Sequence, residues 1–199
     1  MRKLTHRLGD YGYTVSTGPL VWNRYKELLC DRPGQGRYPL IWAESVRAEG
    51  RFEFRAEKRN HKPYFAPGPR EQWVLVTRPC VLLQRTTAKE QRRRLIAAEL
   101  PADFIDEHGA AVVENHLNMV RPITGTPTIP PAVLAALLNS DVVDRAFRCI
   151  NGSVAISAYE LEALPLPDPA EIAEITRLVR RRAKPATIER ALERMYKDK

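Results

Sequence analysis

Long apolar runs are missing from this 199-residue sequence, and with them any stretch of the roughly 18 residues that a membrane-crossing helix needs. The opening Met1-Arg2-Lys3-Leu4-Thr5-His6-Arg7 has no apolar core of the kind a signal peptide carries. Cysteine is scarce: Cys30, Cys80 and Cys149 are odd in number, far apart and in no CxxC pair. That excludes a disulfide framework and a zinc ribbon, and leads us to expect buried, reduced thiols in a cytoplasmic protein without a membrane partner. There is no GxGxxG and no Walker motif to cradle a phosphate, no HExxH, and no GxSxG. No lysine stands two positions after an acidic residue, so the acidic-x-Lys pattern of metal-dependent nucleases is missing too. We expect no catalytic residue, no metal ligand and no cofactor site in this chain.

What is abundant is positive charge, unevenly placed. The formal net charge is +8, yet residues 1–100 carry 20 Lys/Arg against 10 Asp/Glu, residues 101–176 carry 3 against 11, and residues 177–199 carry 9 against 3. A basic first half beside an acidic second half points to one face meant for a polyanion. Arginine outnumbers lysine 24 to 8, and its planar fork suits bidentate contacts with phosphate and guanine.

Apolar content of 44% and charged content of 28% are those of an ordinary globular protein. Strand patterns recur at Tyr13-Thr14-Val15-Ser16-Thr17, broken at Gly18-Pro19, then at Tyr38-Pro39-Leu40-Ile41-Trp42 and Gly50-Arg51-Phe52-Glu53-Phe54-Arg55. Residues 72–77 and 111–120 each read as one further strand. Between them, Cys80-Val81-Leu82-Leu83-Gln84-Arg85 and Leu95-Ile96-Ala97-Ala98 form a hairpin around the basic loop Thr86-Thr87-Ala88-Lys89-Glu90-Gln91-Arg92-Arg93-Arg94. After the proline-rich stretch 122–131 the pattern turns helical: Pro131 opens one helix, Asn139 or Ser140 caps a second over 141–149, and 171–182 and 187–196 are amphipathic. The fold class is α+β: a curved, mostly antiparallel sheet followed by C-terminal helices. Three parts are expected: a peripheral segment 1–12, a main domain 13–168, and basic helices 169–199.

The candidates for holding phosphates and reading base edges are Arg85, just before the loop, and Thr86, Thr87, Lys89, Gln91, Arg92 and Arg93 within it. Thr17, Asn23, Arg24 and Lys26 flank the Gly-Pro break and are candidates for the DNA backbone. Asn115, His116 and Asn118 are candidates at a strand end, with core hydrogen bonding for one of them as the alternative. Trp22 and Trp42 lie in apolar runs and are assigned to the core.

Four blocks together resemble the C-terminal target-recognition part of bacterial adenine-N6 DNA methyltransferases, the TaqI-like specificity domain. They are Val15-Ser16-Thr17-Gly18-Pro19-Leu20-Val21-Trp22-Asn23-Arg24-Tyr25-Lys26; Tyr38-Pro39-Leu40-Ile41-Trp42; Gln84-Arg85-Thr86-Thr87-Ala88-Lys89-Glu90-Gln91 with Glu114-Asn115-His116-Leu117-Asn118; and Leu137-Leu138-Asn139-Ser140 through Gly152-Ser153 to Glu160-Leu161-Glu162-Ala163-Leu164-Pro165-Leu166-Pro167. The last block is also similar to the recognition domains of type I restriction specificity subunits. The resemblance implies a target-recognition-domain-like fold that binds double-stranded DNA in a restriction-modification system. It also implies a partner: an N-terminal methyltransferase domain or subunit that binds S-adenosylmethionine and carries an Asn-Pro-Pro-Tyr tetrapeptide. Here Asn60-His61-Lys62-Pro63-Tyr64 lacks the adjacent prolines, so the chain is expected to be the detached recognition half. The alternatives are an assembly or interaction subunit of such a complex, using the acidic helical part, and, third, a nuclease.

Overall fold

Strand residues that read as unbroken apolar runs point alternately into two different cores. In the computed structural model, which describes residues 4–86, 91–153 and 155–197, the elements run β1 (Tyr13–Thr17), β2 (Leu29–Cys30), β3 (Tyr38–Ile41), β4 (Tyr64–Phe65), β5 (Leu75–Val76), β6 (Cys80–Gln84) and β7 (Ala97–Leu100). Helix α1 (Ala102–His108), β8 (Ala111–Val113) and β9 (Leu117–Pro122) follow. The chain ends with α2 (Pro131–Leu138), α3 (Asp141–Arg148), α4 (Ala158–Glu162), α5 (Ala173–Arg180) and α6 (Pro185–Lys197).

Two sheets result, where the sequence led us to expect one. The first is antiparallel in the order β1-β9-β6-β7; the second is mixed in the order β2-β4-β3-β8-β5, with β3 and β8 parallel. The first sheet is buried on both faces, which explains its uninterrupted apolar runs. Val81, Leu83, Ala97 and Val120 face the helices, where they join Leu134, Leu138, Phe147 and Leu192. Cys80, Leu82, Ala98 and Met119 face the other way and meet Ile41 and Val113 of the second sheet, with Ile105 of α1. Behind the second sheet, Leu40, Trp42, Phe65 and Val112 form a third core covered by Leu20, Trp22 and Tyr25. The layers are therefore helices, sheet, sheet and a covering segment.

Several expectations need correction. Residues 111–120 are not one strand: β8 ends at Val113, the polar triplet Glu114-Asn115-His116 makes a turn closed by the Leu117 N–H on the Glu114 carbonyl (3.1 Å), and β9 enters the other sheet. Residues 50–55 form no strand; Phe52 and Phe54 instead pack on Phe104 of α1, at ring-centre distances of 5.0 and 5.6 Å. Of residues 72–77 only Leu75 and Val76 are strand, after a single tight turn at Gln72–Val74. The segment expected to be peripheral places Leu8 and Tyr11 fully inside the first core. Of the three thiols only Cys80 is buried, and burial pushes it up to about 12; Cys30 is half-buried and Cys149 exposed.

Local chemistry gave the helix starts. Pro131 opens α2, and the Ser140 hydroxyl accepts the Val143 N–H at the start of α3. Helix α4, which the sequence reading passed over, is opened by a capping box of Ser157 and Glu160. No helix among the described residues is long and apolar enough to cross a membrane.

Candidate nucleic-acid interface

The chain crosses between the two sheets four times, and the crossings after β1 and after β8 lie side by side. After Thr17, the Gly18 N–H bonds the Leu117 carbonyl (2.8 Å) and Leu20 moves alongside the end of β8, its N–H on the Val113 carbonyl (3.1 Å). The turn 114–116 is the other crossing of this pair, and the Asn115 N–H returns to the Leu20 carbonyl (2.9 Å). Gly18 is required here by close approach: a Cβ on it would lie 2.3 Å from the Glu114 carbonyl oxygen.

Arg85, at the end of β6, closes this corner. Its backbone N–H donates to the His116 carbonyl and its Nη1 to the Asn115 carbonyl, both at 2.9 Å. Its own carbonyl accepts from Ile156 (2.8 Å), and the Ile156 carbonyl accepts from Asn118 Nδ2 (2.8 Å). Thr86 bridges to Ala155. The structure thus gathers Thr17, Arg85, Thr86, Asn115, His116 and Asn118 at one end of the first sheet, with Ala155 and Ile156 beside them. Thr17, Thr86 and His116 are exposed there, and Arg85 and Asn115 half-buried. Asn118 is fully buried and faces the core, its Oδ1 without a hydrogen-bond partner among the described residues. The alternative of core hydrogen bonding holds for that residue.

Under the turn lies a group the sequence reading did not single out. The Glu114 carboxylate is fully buried, and its Oε2 accepts the His116 backbone N–H at 2.8 Å. The His116 Nδ1 is 2.8 Å from both carboxylate oxygens, while the ring is 62% exposed. The signal was a carboxylate two positions before a histidine in a polar interruption of an apolar run.

The basic loop behaves differently along its length. Thr87 and Lys89 lie outside the described residues, and Gln91 is exposed. Beyond it the returning limb is fastened to the first turn of α3. Arg92 Nη2 and Arg93 Nε grip the two oxygens of Asp141 at 2.8 and 2.7 Å. The N–H groups of Arg94 and Leu95 donate to Asp144 Oδ1 at 2.6 and 2.7 Å, and Arg148 Nε takes its other oxygen at 2.7 Å. Glu189 of α6 accepts the Asp141 and Val142 N–H groups at the same helix end. Burial alone would raise the Asp141 carboxyl, but the hydrogen bonds and charge of Arg93 and Arg92 outweigh it and hold the group below the usual carboxylate range. Part of the charge asymmetry between the chain halves is therefore consumed inside the fold. Arg93 is only 26% exposed, whereas Arg92 is 81% exposed.

Asn23, Arg24 and Lys26 are exposed on the covering segment, next to the corner through Leu20 and Val21. The Lys26 ammonium lies 5.8 Å from the Trp22 ring centre, and Trp22 packs edge-on against buried Trp42. In the stretch that includes Asn60, His61 is structural: it stacks on Trp42 with ring centres 3.7 Å apart, and Trp42 Nε1 donates to the Lys62 carbonyl.

Two curated proteins share this sequence pattern across most of the chain. Both are type II methyltransferases. M.BsuBI of Bacillus subtilis is 28% identical over 163 residues, which is 81% of this chain and 32% of that protein. M.PstI of Providencia stuartii is 27% identical over 175 residues, 86% of this chain and 34% of that protein. The chain spans about a third of the length of these relatives. No family model matches it. The chain is thus similar to one part of type II methyltransferases.

Proposed function

We propose that this chain is a sequence-specific reader of double-stranded DNA, acting as the target-recognition part of an adenine-N6 methyltransferase of the restriction-modification kind. Methyl transfer from S-adenosylmethionine would be carried out by a partner domain or subunit bearing the catalytic tetrapeptide. The observation that carries the reading is the overlap of two independent facts. Most of the chain matches one third of two type II methyltransferases. The residues that resemble a target-recognition domain, Thr17, Arg85, Thr86, Asn115 and His116, converge on one corner, held by backbone bonds from four segments.

The chemistry is that of positioning and reading. Arg24 and Lys26 on the covering segment, and Arg92 beside Asp141 at the start of α3, are exposed cations that can neutralise phosphates, and such contacts set register without reading sequence. Thr17, Thr86, Gln91 and His116 offer donors and acceptors for base edges. An extruded adenine would then be delivered to the partner's active site. Retention of a randomised duplex library by the purified chain tests the reading. One enriched motif is expected; a retained pool without sequence bias would reject the role of reader.

A further inference from the structure

We infer that His116 determines specificity at one base pair of the recognised site, and that buried Glu114 is the positioning residue that aims it. The inference rests on the DNA-reading role proposed above.

A carboxylate taken fully out of water is costly unless its oxygens are satisfied. Glu114 is fully buried, and two of its donors come from a single residue: the backbone N–H and the ring Nδ1 of His116, all contacts at 2.8 Å. An ionised carboxylate only accepts, so Nδ1 carries the hydrogen and Nε2 is turned outward. With the ring 62% exposed, Nε2 meets whatever docks on the corner. It is an acceptor when the ring is neutral and a donor when it is a cation.

The support for the ring is unusually complete for an exposed side chain. The turn beneath it is fixed by the Asn115 N–H on Leu20, the Leu117 N–H on the Glu114 carbonyl, and two donations from Arg85. Gly18 presses on the Glu114 carbonyl so closely that no side chain fits between. Reading a base edge demands such a fixed donor or acceptor, whereas a phosphate contact tolerates a mobile cation. The side chain is 62% exposed, so most of the ring is open to a ligand rather than spent on packing. The ligand is the edge of a base in the groove of a duplex. As an acceptor Nε2 suits the exocyclic amine of adenine or cytosine; as a donor it suits N7 or O6 of guanine.

The test uses the full chain and duplexes that differ from the enriched motif at one position each. His116→Ala should reduce discrimination at a single position by roughly tenfold or more, with preferences elsewhere retained. Glu114→Ala should lose preference at that same position, and Glu114→Gln, whose amide oxygen still accepts from Nδ1, should restore part of it. Ring nitrogen NMR should show the Nδ1–H form in the wild-type chain and its loss in Glu114→Ala. Should Glu114→Ala fail to fold, the wild-type tautomer and the exposed His116→Ala variant decide. A uniform loss of affinity across all duplexes in His116→Ala would mark a phosphate contact and overturn the inference, as would an unchanged motif or an Nε2–H ring in the wild-type chain. A wild-type chain that enriches no motif instead rejects the DNA-reading role itself, and this inference falls with it.

Discussion

Arg93 donates its Nε–H to Asp141 across 2.7 Å, and Arg92 reaches the other oxygen of the same carboxylate across 2.8 Å. Two of the loop's cations are thereby tied to the acidic half of the chain, at the helix end where Ser140 and Glu189 also bind backbone N–H groups. The clamp fixes where the returning limb of the basic loop can go, and it tempers the positive charge that the loop presents.

Removing the clamp separates these two effects. Asp141→Ala leaves Arg93 without its partner in a site only 26% exposed, which should cost about 1–3 kcal/mol of stability by denaturant unfolding. The released guanidinium groups should raise affinity for unrelated duplex at low salt. Unchanged stability together with unchanged non-specific affinity would show that the clamp does neither.

Acid should weaken the same contacts. Asp141 sits below the usual carboxylate range for the reasons given above, and Glu160 does too: burial pushes it up, but bonds from Ser157 and Asn151 outweigh that. A group whose folded value is depressed adds stability that is fully present above its unfolded value, near 4. That stability is lost as pH falls through the lower folded value. Unfolding free energies measured between pH 6 and pH 2 (about two units either side of the ordinary carboxylate value) should fall more steeply for wild type than for Asp141→Ala.

Gly18 and Gly152 make a contrasting pair. A Cβ at Gly18 meets the Glu114 carbonyl oxygen at 2.3 Å, while one at Gly152 meets nothing within 4 Å. Gly18→Ala should cost about 1–3 kcal/mol through displacement of the 114–116 turn, and it should blur the base preference assigned to His116. Gly152→Ala should stay within about 0.5 kcal/mol of wild type. Equal thermal midpoints for the two variants would contradict the tight crossing.

Asn118 tests the division between core and surface at the corner. Its Nδ2 donates to the carbonyl of buried Ile156, and the side chain is fully buried. Asn118→Ala should cost about 1–3 kcal/mol, because the Ile156 carbonyl loses its donor. The enriched duplex motif should be the same as for wild type. An altered motif would place Asn118 in the reader after all.

Helix starts were legible because their causes are local: Pro131 at one, Ser140 at the next, and Ser157 with Glu160 at a third that the reading overlooked. The hairpin of β6 and β7 was legible from two apolar runs around a polar loop. The division into two sheets was not. Glu114-Asn115-His116 fits a strand's alternation as well as a turn, and only the pairing of Leu117 with Gln84 in one sheet and Val113 with Ile41 in the other separates β8 from β9. Of the site, Thr17, Arg85, Thr86, Asn115 and His116 were identified as candidates and stand together. Two positioning acids were missed for different reasons. Asp141 lies 48 residues from Arg93, a separation that no local pattern reveals. Glu114 sat inside an expected strand, where a charged residue reads as solvent-facing.

The most direct test of the account is the affinity of the purified chain for its enriched duplex and for a scrambled duplex of equal length, each titrated with salt. The account predicts falling affinity with rising salt for both, as released counterions require, and a preference for the enriched duplex of about a thousandfold or more that persists across the titration. Equal affinities at every salt concentration, or no binding to either duplex at low salt, would contradict it.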